Sequence, residues 1–370
     1  MLAKLTDICD IQYGYAFDSA QFSETEGIPL VRIRDVVRGF SETRTTESFP
    51  EEYLVHDGDI LIGMDGEFNI ARWHGGTAAL NQRVCRLLPK KVKTGYIFHF
   101  MPSALKAIED KTPFVTVKHL SAKELNRIMV PIPEPDEQIR IGTILNKVRE
   151  IIDFRQRQLR ILDTLIKARF VEMFGDPETN PMDWPIETLG TLLSVEPQNG
   201  LYKPQSDYVQ DGTGIPILRI DAFYDGKVNN FSRLKRLICN ESEKQRYLLM
   251  ENDIVINRVN SIEYLGKCAW ITGMNEPTIF ESNMMRFHVD ENKIDPCYLT
   301  RLLCSTFIYN QILNRAKKAV NQASINQGDV QSFAIVIPPL SLQREFAAFF
   351  YQIDKSGFDE GVQSLKLLST

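Results

Sequence analysis

Gly27-Ile-Pro-Leu-Val-Arg-Ile33 returns far along the chain as Gly214-Ile-Pro-Ile-Leu-Arg-Ile220. Tyr53-Leu-Val-His-Asp-Gly-Asp-Ile-Leu-Ile62 returns as Tyr247-Leu-Leu-Met-Glu-Asn-Asp-Ile-Val-Ile256. Asn81-Gln-Arg-Val-Cys-Arg-Leu87 has a looser counterpart in Ser282-Asn-Met-Met-Arg-Phe-His288. The run His119-Leu-Ser121, Ile128-Met-Val-Pro-Ile-Pro133 and Gln138 corresponds to Ser324-Ile-Asn326, Phe333-Ala-Ile-Val-Ile-Pro338 and Gln343. Four matches in one order, at a separation drifting from 187 to 205 residues, mark a duplicated unit.

Working outward, each unit reads as short apolar β-rich runs bounded by Gly, Asp and Asn. Asp57-Gly-Asp59 and Glu251-Asn-Asp253 stand where a tight turn feeds a buried strand. Ser121 with Glu124, and Asn326 with Asp329, have capping-box spacing for a short helical turn. A Pro-rich stop follows, Pro131-Ile-Pro-Glu-Pro135 or Pro338-Pro339, and then a helix. The first helix, from about Asp136 to Phe174, places Leu145, Val148, Ile152, Leu159, Leu162, Ile166 and Met173 at spacings of three and four, with gaps at Arg155 and Arg169. That is a heptad seam, which buries one stripe against another helix. Gly175-Asp-Pro177 ends it. At ~1.5 Å per residue it spans roughly 58 Å, more than a compact domain of this size needs. A second helix from near Ser341 carries Leu342, Phe346, Phe349, Phe350 and Ile353. It is expected to restart after Gly357 with Val362, Leu365 and Leu368. The expected fold is α+β: two tandem β-rich domains, 1–135 and 176–340, and two helices, 136–175 and 341–370. The helices pair antiparallel as the coiled-coil-like rod of a dumbbell.

Composition narrows the function classes. A quarter of the residues are charged and 43% hydrophobic, an ordinary globular balance. No apolar run approaches the ~20 residues of a membrane helix, and Met1-Leu-Ala-Lys-Leu-Thr-Asp7 lacks the layout of a secretion signal, so the expected location is cytoplasmic. Six cysteines without a CxxC, and five histidines, offer no zinc site or disulfide framework. A net charge of −5 is not that of an unaided nucleic-acid binder, so either basic groups cluster in the fold or a partner supplies phosphate contacts.

Catalytic motifs are missing. The nearest approach to the Asn/Asp-Pro-Pro-aromatic loop of amino-methyltransferases is Ile337-Pro-Pro-Leu340, which has neither the polar residue nor the aromatic. Gly266-Lys267 lacks the upstream Gly and the following Ser/Thr of a phosphate loop. Carboxylate-x-Lys triplets at Glu109-Asp-Lys111, Asp225-Gly-Lys227 and Glu291-Asn-Lys293 are of a kind common by chance, and Asp225-Gly226 reads as a hairpin turn. No Ser/His/Asp grouping is recognisable.

The tandem units, Gly58-Asp-Ile-Leu-Ile62, the Pro-then-Gln helix entries and the central Met173-Phe-Gly-Asp-Pro-Glu-Thr-Asn-Pro-Met-Asp-Trp184 resemble the specificity subunits of Type I restriction enzymes over essentially the whole length. Met64-Asp-Gly-Glu-Phe-Asn69 and Ile256-Asn-Arg-Val-Asn-Ser261 also look like variants found in that family's target-recognition domains. The resemblance implies a non-catalytic DNA reader. Each target-recognition domain would read half of a gapped double-stranded site. The helices, through Leu145, Val148, Ile152, Leu159, Leu162, Ile166, Phe346, Phe349 and Ile353, would dock two modification (adenine methyltransferase) subunits, and motor-nuclease restriction subunits would join them. S-adenosylmethionine would belong to the methyltransferase partner, ATP and Mg to the motor-nuclease, and no cofactor to this chain. The residues alone leave a tandem β-domain interaction scaffold open as the alternative.

Base reading needs forked or amide side chains on an edge that reaches a groove. In the first unit the candidates are Asn69 and Arg72 on the loop that follows the repeated strand, with Lys118 and His119 in the segment Thr116-Val-Lys-His119. In the second they are Asn257, Arg258, Asn260 and Ser261, with Lys317, Lys318, Asn321 and Gln322. Lys317 and Lys318 suit phosphate better than bases. Arg32 and Arg219, at matching positions, read as structural.

Overall fold

The computed structural model describes residues 1–111, 118–320 and 322–367, with side chains through residue 353. The chain divides into two compact units, Met1–Arg157 and Gln158–Thr370. The boundary falls inside the long helix expected as a separate spacer, which runs Pro135–Phe174.

In the first unit the central sheet runs Cys9–Tyr13, Val84–Pro89, Ile60–Gly63, Ile70–Arg72, antiparallel throughout. The second unit repeats that order with Leu193–Asn199, Met284–Val289, Ile254–Asn257 and Cys268–Trp270, then adds the hairpin Phe223–Tyr224 and Gly226–Val228. Asp225 and Gly226 turn that hairpin with φ of 48° and 82°, as the Asp-Gly pair predicts. Beside each central sheet lies another, holding the quoted Gly-Ile-Pro motif. Ile28–Val31 pairs parallel with Ala78–Leu80, and Ile215–Leu218 pairs parallel with Ile279–Phe280. Both motifs open on glycine for the same reason: Gly27 and Gly214 have φ of +88° and +74°, and a Cβ there would fall 2.1 and 2.4 Å from the backbone oxygens of Thr45 and Leu237.

The strand of the second match divides two cores by its two-residue period. Ile60 and Ile62 pack with Tyr96, Ile97, Phe98 and Met101 of the helix Thr94–Lys111, while Leu61 packs with Val31, Val55 and Trp73 on the opposite side. Ile254 and Ile256 likewise join Tyr298 and Leu302, and Val255 joins Leu218 and Phe280. Gly58 (φ 95°) and Asn252 (φ 70°) make the tight turns entering these strands.

Each unit closes on its own helix by the same two bonds. The Gln138 side chain accepts from Lys93 N–H and donates to the Pro133 carbonyl, at 2.9 and 2.8 Å. Gln343 accepts from Asp295 N–H and donates to Pro338, at 2.9 and 2.7 Å. Tyr96 and Tyr298 hydroxyls donate to the carbonyls of Pro131 and Val336. Both capping boxes form, on Ser121/Glu124 and Asn326/Asp329. In the central motif, Trp184 Nε1 donates to Phe174 O, and Asn180 bonds Trp184 through both its amide atoms.

Three expectations need correction. The third match is shifted by one residue: Asn81 and Glu281 hold the equivalent bridge positions, to Tyr15 and Leu201, so Arg86 corresponds to Arg286. The second helix does not restart at Gly357 but runs unbroken from Leu340 to Leu367; the side chains of Val362 and Leu365, and all of Leu368, lie outside the described ones. The heptad stripe is not uniformly available for docking. Leu145, Ile152 and Leu159 are exposed by 39, 50 and 57%, and Val148 and Leu162 are half-buried. By contrast Ile166 and Phe346 are sealed in the second unit's core with Phe170 and Phe174, and Phe349 and Ile353 pack against it.

Candidate nucleic-acid interface

In both units the chain leaves the central strand and pairs at once with the segment just before the capping box. In the first unit Leu120 N–H donates to Met64 O at 2.7 Å and Gly66 N–H to Lys118 O at 2.8 Å. Asp65 and His119 face each other across this bridge, Nδ1 to Oδ1 at 2.5 Å, and Arg83 Nη1 donates to the other Asp65 oxygen at 2.9 Å. In the second unit Ile325 N–H donates to Arg258 O at 3.0 Å, the counterpart of the Leu120 bond. Val259–Asn260 then pairs with Ala323–Ser324, which pairs in turn with Lys317–Lys318. Thus the two candidate edges of each unit, separated by more than fifty residues in sequence, form one edge in space.

Their side chains differ in exposure and in the bonds they make. His119 is 53% exposed, and Lys317, Lys318 and Gln322 are exposed. Asn69 is half-buried, its carbonyl accepting from Gly63 N–H. Asn260 accepts from Ser261 N–H through Oδ1 at 2.8 Å, and Ser261 begins the turn Ile262–Tyr264. Glu263 stands in that turn; hydrogen bonds from its own backbone N–H and from the Ser261 side chain hold its carboxyl below the usual range. Asn321, with Thr116 and Val117, lies outside the described residues.

Four candidates make contacts within their own unit. Asn257 is fully buried at the end of its strand, with Nδ2 3.4 Å from Tyr264 O, so it does not stand on a free edge. Arg72 is not on the loop: it pairs with Ile60 at the far end of the strand pair, and its guanidinium sits 5.0 Å over the Phe98 ring, which Arg149 also covers at 5.3 Å. Lys118 spends its ammonium on Glu109, 2.8 Å from the carbonyl oxygen and 3.7 Å from the carboxylate. Arg258 donates through Nη1 to Ser282 O at 3.1 Å.

A second basic place lies outside these candidate edges. An open cleft of about 490 Å³ in the second unit is lined by Arg219, Asn229, Asn230, Arg233 and Lys235, with Asp221 as its one carboxylate. Arg219 is held there by the Tyr208 hydroxyl at 3.1 Å and by Glu281 at 3.7 Å, so the structural role expected for it is real, yet it also faces the cleft. Arg32 has no such setting and is exposed. The cleft comes from one stretch of chain, 217–235, folded back where Ile215–Leu218 pairs with Lys235–Leu237.

The chain matches the Type I restriction modification DNA specificity domain family twice, over residues 1–162 and 181–361. It belongs to that family. The two matches coincide with the two copies of the repeated unit. The EcoBI specificity subunit of Escherichia coli is 26% identical over 372 aligned positions, 92% of this chain and 76% of that protein. The putative MjaX specificity subunit of Methanocaldococcus jannaschii is 34% identical over 178 positions, 47% of this chain and 40% of its own length. A crystal structure of a Type-I restriction-modification S subunit from M. genitalium has the same fold, with a TM-score of 0.63 at 13% identity, covering 100% of this chain and 93% of that one. As a Type I specificity subunit the chain supplies DNA sequence recognition and is not itself the catalyst. Among the described residues no helix is long and apolar enough to cross a membrane.

Proposed function

We propose that each unit of this specificity subunit reads one half of a bipartite, gapped double-stranded DNA site. The observation that carries this reading is one backbone construction bearing two sets of side chains. After the same strand, bonded to the same pre-cap segment, the first unit presents Asp65, Arg83 and His119, and the second presents Asn260, Lys317, Lys318 and Gln322. A shared scaffold with divergent edges suits two different half-sites. The exposed stripe Leu145, Ile152, Leu159, spaced by seven, suits docking of two modification subunits, with restriction subunits joining that core. S-adenosylmethionine is then used by the methyltransferase partners, ATP and Mg by the motor-nuclease, in the cytoplasm.

Replacing residues 25–125 with the corresponding region of another specificity subunit tests the reading. Mapping methylated adenines in a host carrying the chimera should show one half of the recognised sequence changed and the other kept. Change in both halves, or in neither, overturns it.

A further inference from the structure

Two of the six cysteines meet in the second unit. Cys268 opens the strand Cys268–Trp270 and is buried, 1% exposed. Cys304 ends the helix Pro296–Leu303 and is exposed. Their sulfurs are 3.6 Å apart, near van der Waals contact, against the ~2.0 Å of a disulfide bond. Both line an open cleft of about 370 Å³.

The surroundings divide the labour between the two. A hydrogen bond from Cys268, with the positive charges of Arg301 and Lys167, outweighs burial and the Asp225 charge and holds the Cys304 thiol below its usual range. Cys268, buried and bonded to Cys304, stays protonated. An accessible thiol of lowered pKa beside a second thiol is the arrangement of a reacting cysteine with its resolving partner. The other cysteines differ: burial pushes Cys9 and Cys85 up to about 12, Cys239 is raised, and Cys297 is buried. The first unit has Ile70 in the place of Cys268, each opening the strand that pairs with Ile62 or Ile256.

We propose that Cys268 and Cys304 are a covalent modification site, closing to a reversible disulfide on contact with a peroxide. The Cys304 thiolate attacks the peroxide O–O bond, taking one oxygen as sulfenic acid, and the hydroxide released becomes water. Cys268 then gives up its proton and attacks the Cys304 sulfur, and the sulfenic oxygen leaves as a second water. Two thiols lose two electrons to one hydrogen peroxide, and a dithiol reductant reverses the step. The bond ties the strand entering at Lys267 to the start of the helix Thr306–Arg315, which leads to Lys317. It therefore constrains both chain segments that lead to the second unit's edge and leaves the first unit untouched.

Treating the full chain with hydrogen peroxide and counting thiols after denaturation should show two of six lost, restored by dithiothreitol. Peptide mapping without reductant should place both in one Cys268–Cys304 linked pair within a single chain. In Cys268→Ser the sulfenic acid at Cys304 should instead persist and be trapped by a 1,3-diketone. Cys304→Ser should keep its remaining thiols. Unchanged thiol counts in the wild-type chain, a link through another cysteine or between chains, or over-oxidation of Cys304 with Cys268 still free would overturn the proposal. The wild-type mapping decides even if a variant fails to fold.

Discussion

Arg86 donates to Asp59 Oδ2 at 2.9 Å across neighbouring strands of the first unit, and Arg286 repeats the bond to Asp253 at 3.2 Å in the second. The far side of each guanidinium is held by a glutamine, Gln12 in one case and Gln198 in the other. Both aspartates also accept from a backbone N–H that tightens the turn before the strand, His56 and Met250. The repeated unit thus carries a polar pin connecting turn, sheet and first strand.

The two copies of the pin differ in depth, so they should differ in cost when cut. The Asp253 side chain is 1% exposed and also bonds His288 Nδ1, whereas that of Asp59 is 23% exposed. Asp253→Ala strands two basic groups and a backbone donor and should destabilise the second unit by about 3 kcal/mol. Asp59→Ala should cost about 1–2 kcal/mol, since water reaches the site. Hydrogen exchange on the full chain checks both, with faster exchange expected only in the unit that carries the change. Equal effects of the two substitutions would contradict the depth argument.

Gln343→Ala tests the helix entry. Its amide is fully buried and bridges Asp295 N–H to Pro338 O, so truncation orphans a donor and an acceptor at once, worth about 2 kcal/mol. Chemical denaturation followed by hydrogen exchange should locate the loss around the start of the terminal helix and the helix at Pro296. A variant as stable as the parent would mean that water replaces both bonds.

The fold was legible because apolar runs such as Ile60–Ile62 and their turn residues must lie inside and at the ends of strands wherever the chain goes. What stayed hidden depends on contacts between distant segments. The one-residue shift in the third match became visible through the Asn81 and Glu281 bridges and the Arg86–Asp59 and Arg286–Asp253 pairs, since Met284-Met285 has no alternation to fix its register. Asn257 reads as a loop amide, yet the strand continues through it and buries it. Lys118 reads as a DNA contact, yet its ammonium donates to a helix carbonyl from nine residues earlier. Residue type marked the candidate edges, and the fold decided which side chains on them are exposed.

That distinction gives opposite expectations for two kinds of substitution at the second unit's edge. Lys317→Ala and Lys318→Ala remove exposed charge and should weaken DNA binding of the assembled complex uniformly across sequences, lowering the slope of log affinity against log salt by about 0.9 for each phosphate no longer neutralised. Asn257→Ala should lower stability through poorer packing and a missing hydrogen bond while leaving base preference unchanged. Binding titrations at several salt concentrations, with cognate and altered sites, separate the two. A change in base preference in Asn257→Ala would place that side chain on the DNA after all.

Glu281 sets a pH dependence that the first unit lacks. Burial raises its carboxyl pKa, and the bond from Ile220 N–H at 2.8 Å and the Arg219 charge offset this only in part. A carboxyl whose folded value exceeds its unfolded one binds its proton more tightly when folded. Its contribution is therefore fully present below about pH 4, the ordinary glutamate range, and is lost as pH rises through the higher folded value. The first unit holds Asn81 at the equivalent position, an uncharged amide. Glu281→Gln keeps an acceptor for Ile220 and removes the ionisation, so the second unit's stability should become flatter with pH above 4 than in the parent chain. Denaturation curves at successive pH values provide the comparison. A parent chain whose second unit gains stability over that window would show that Arg219 outweighs burial.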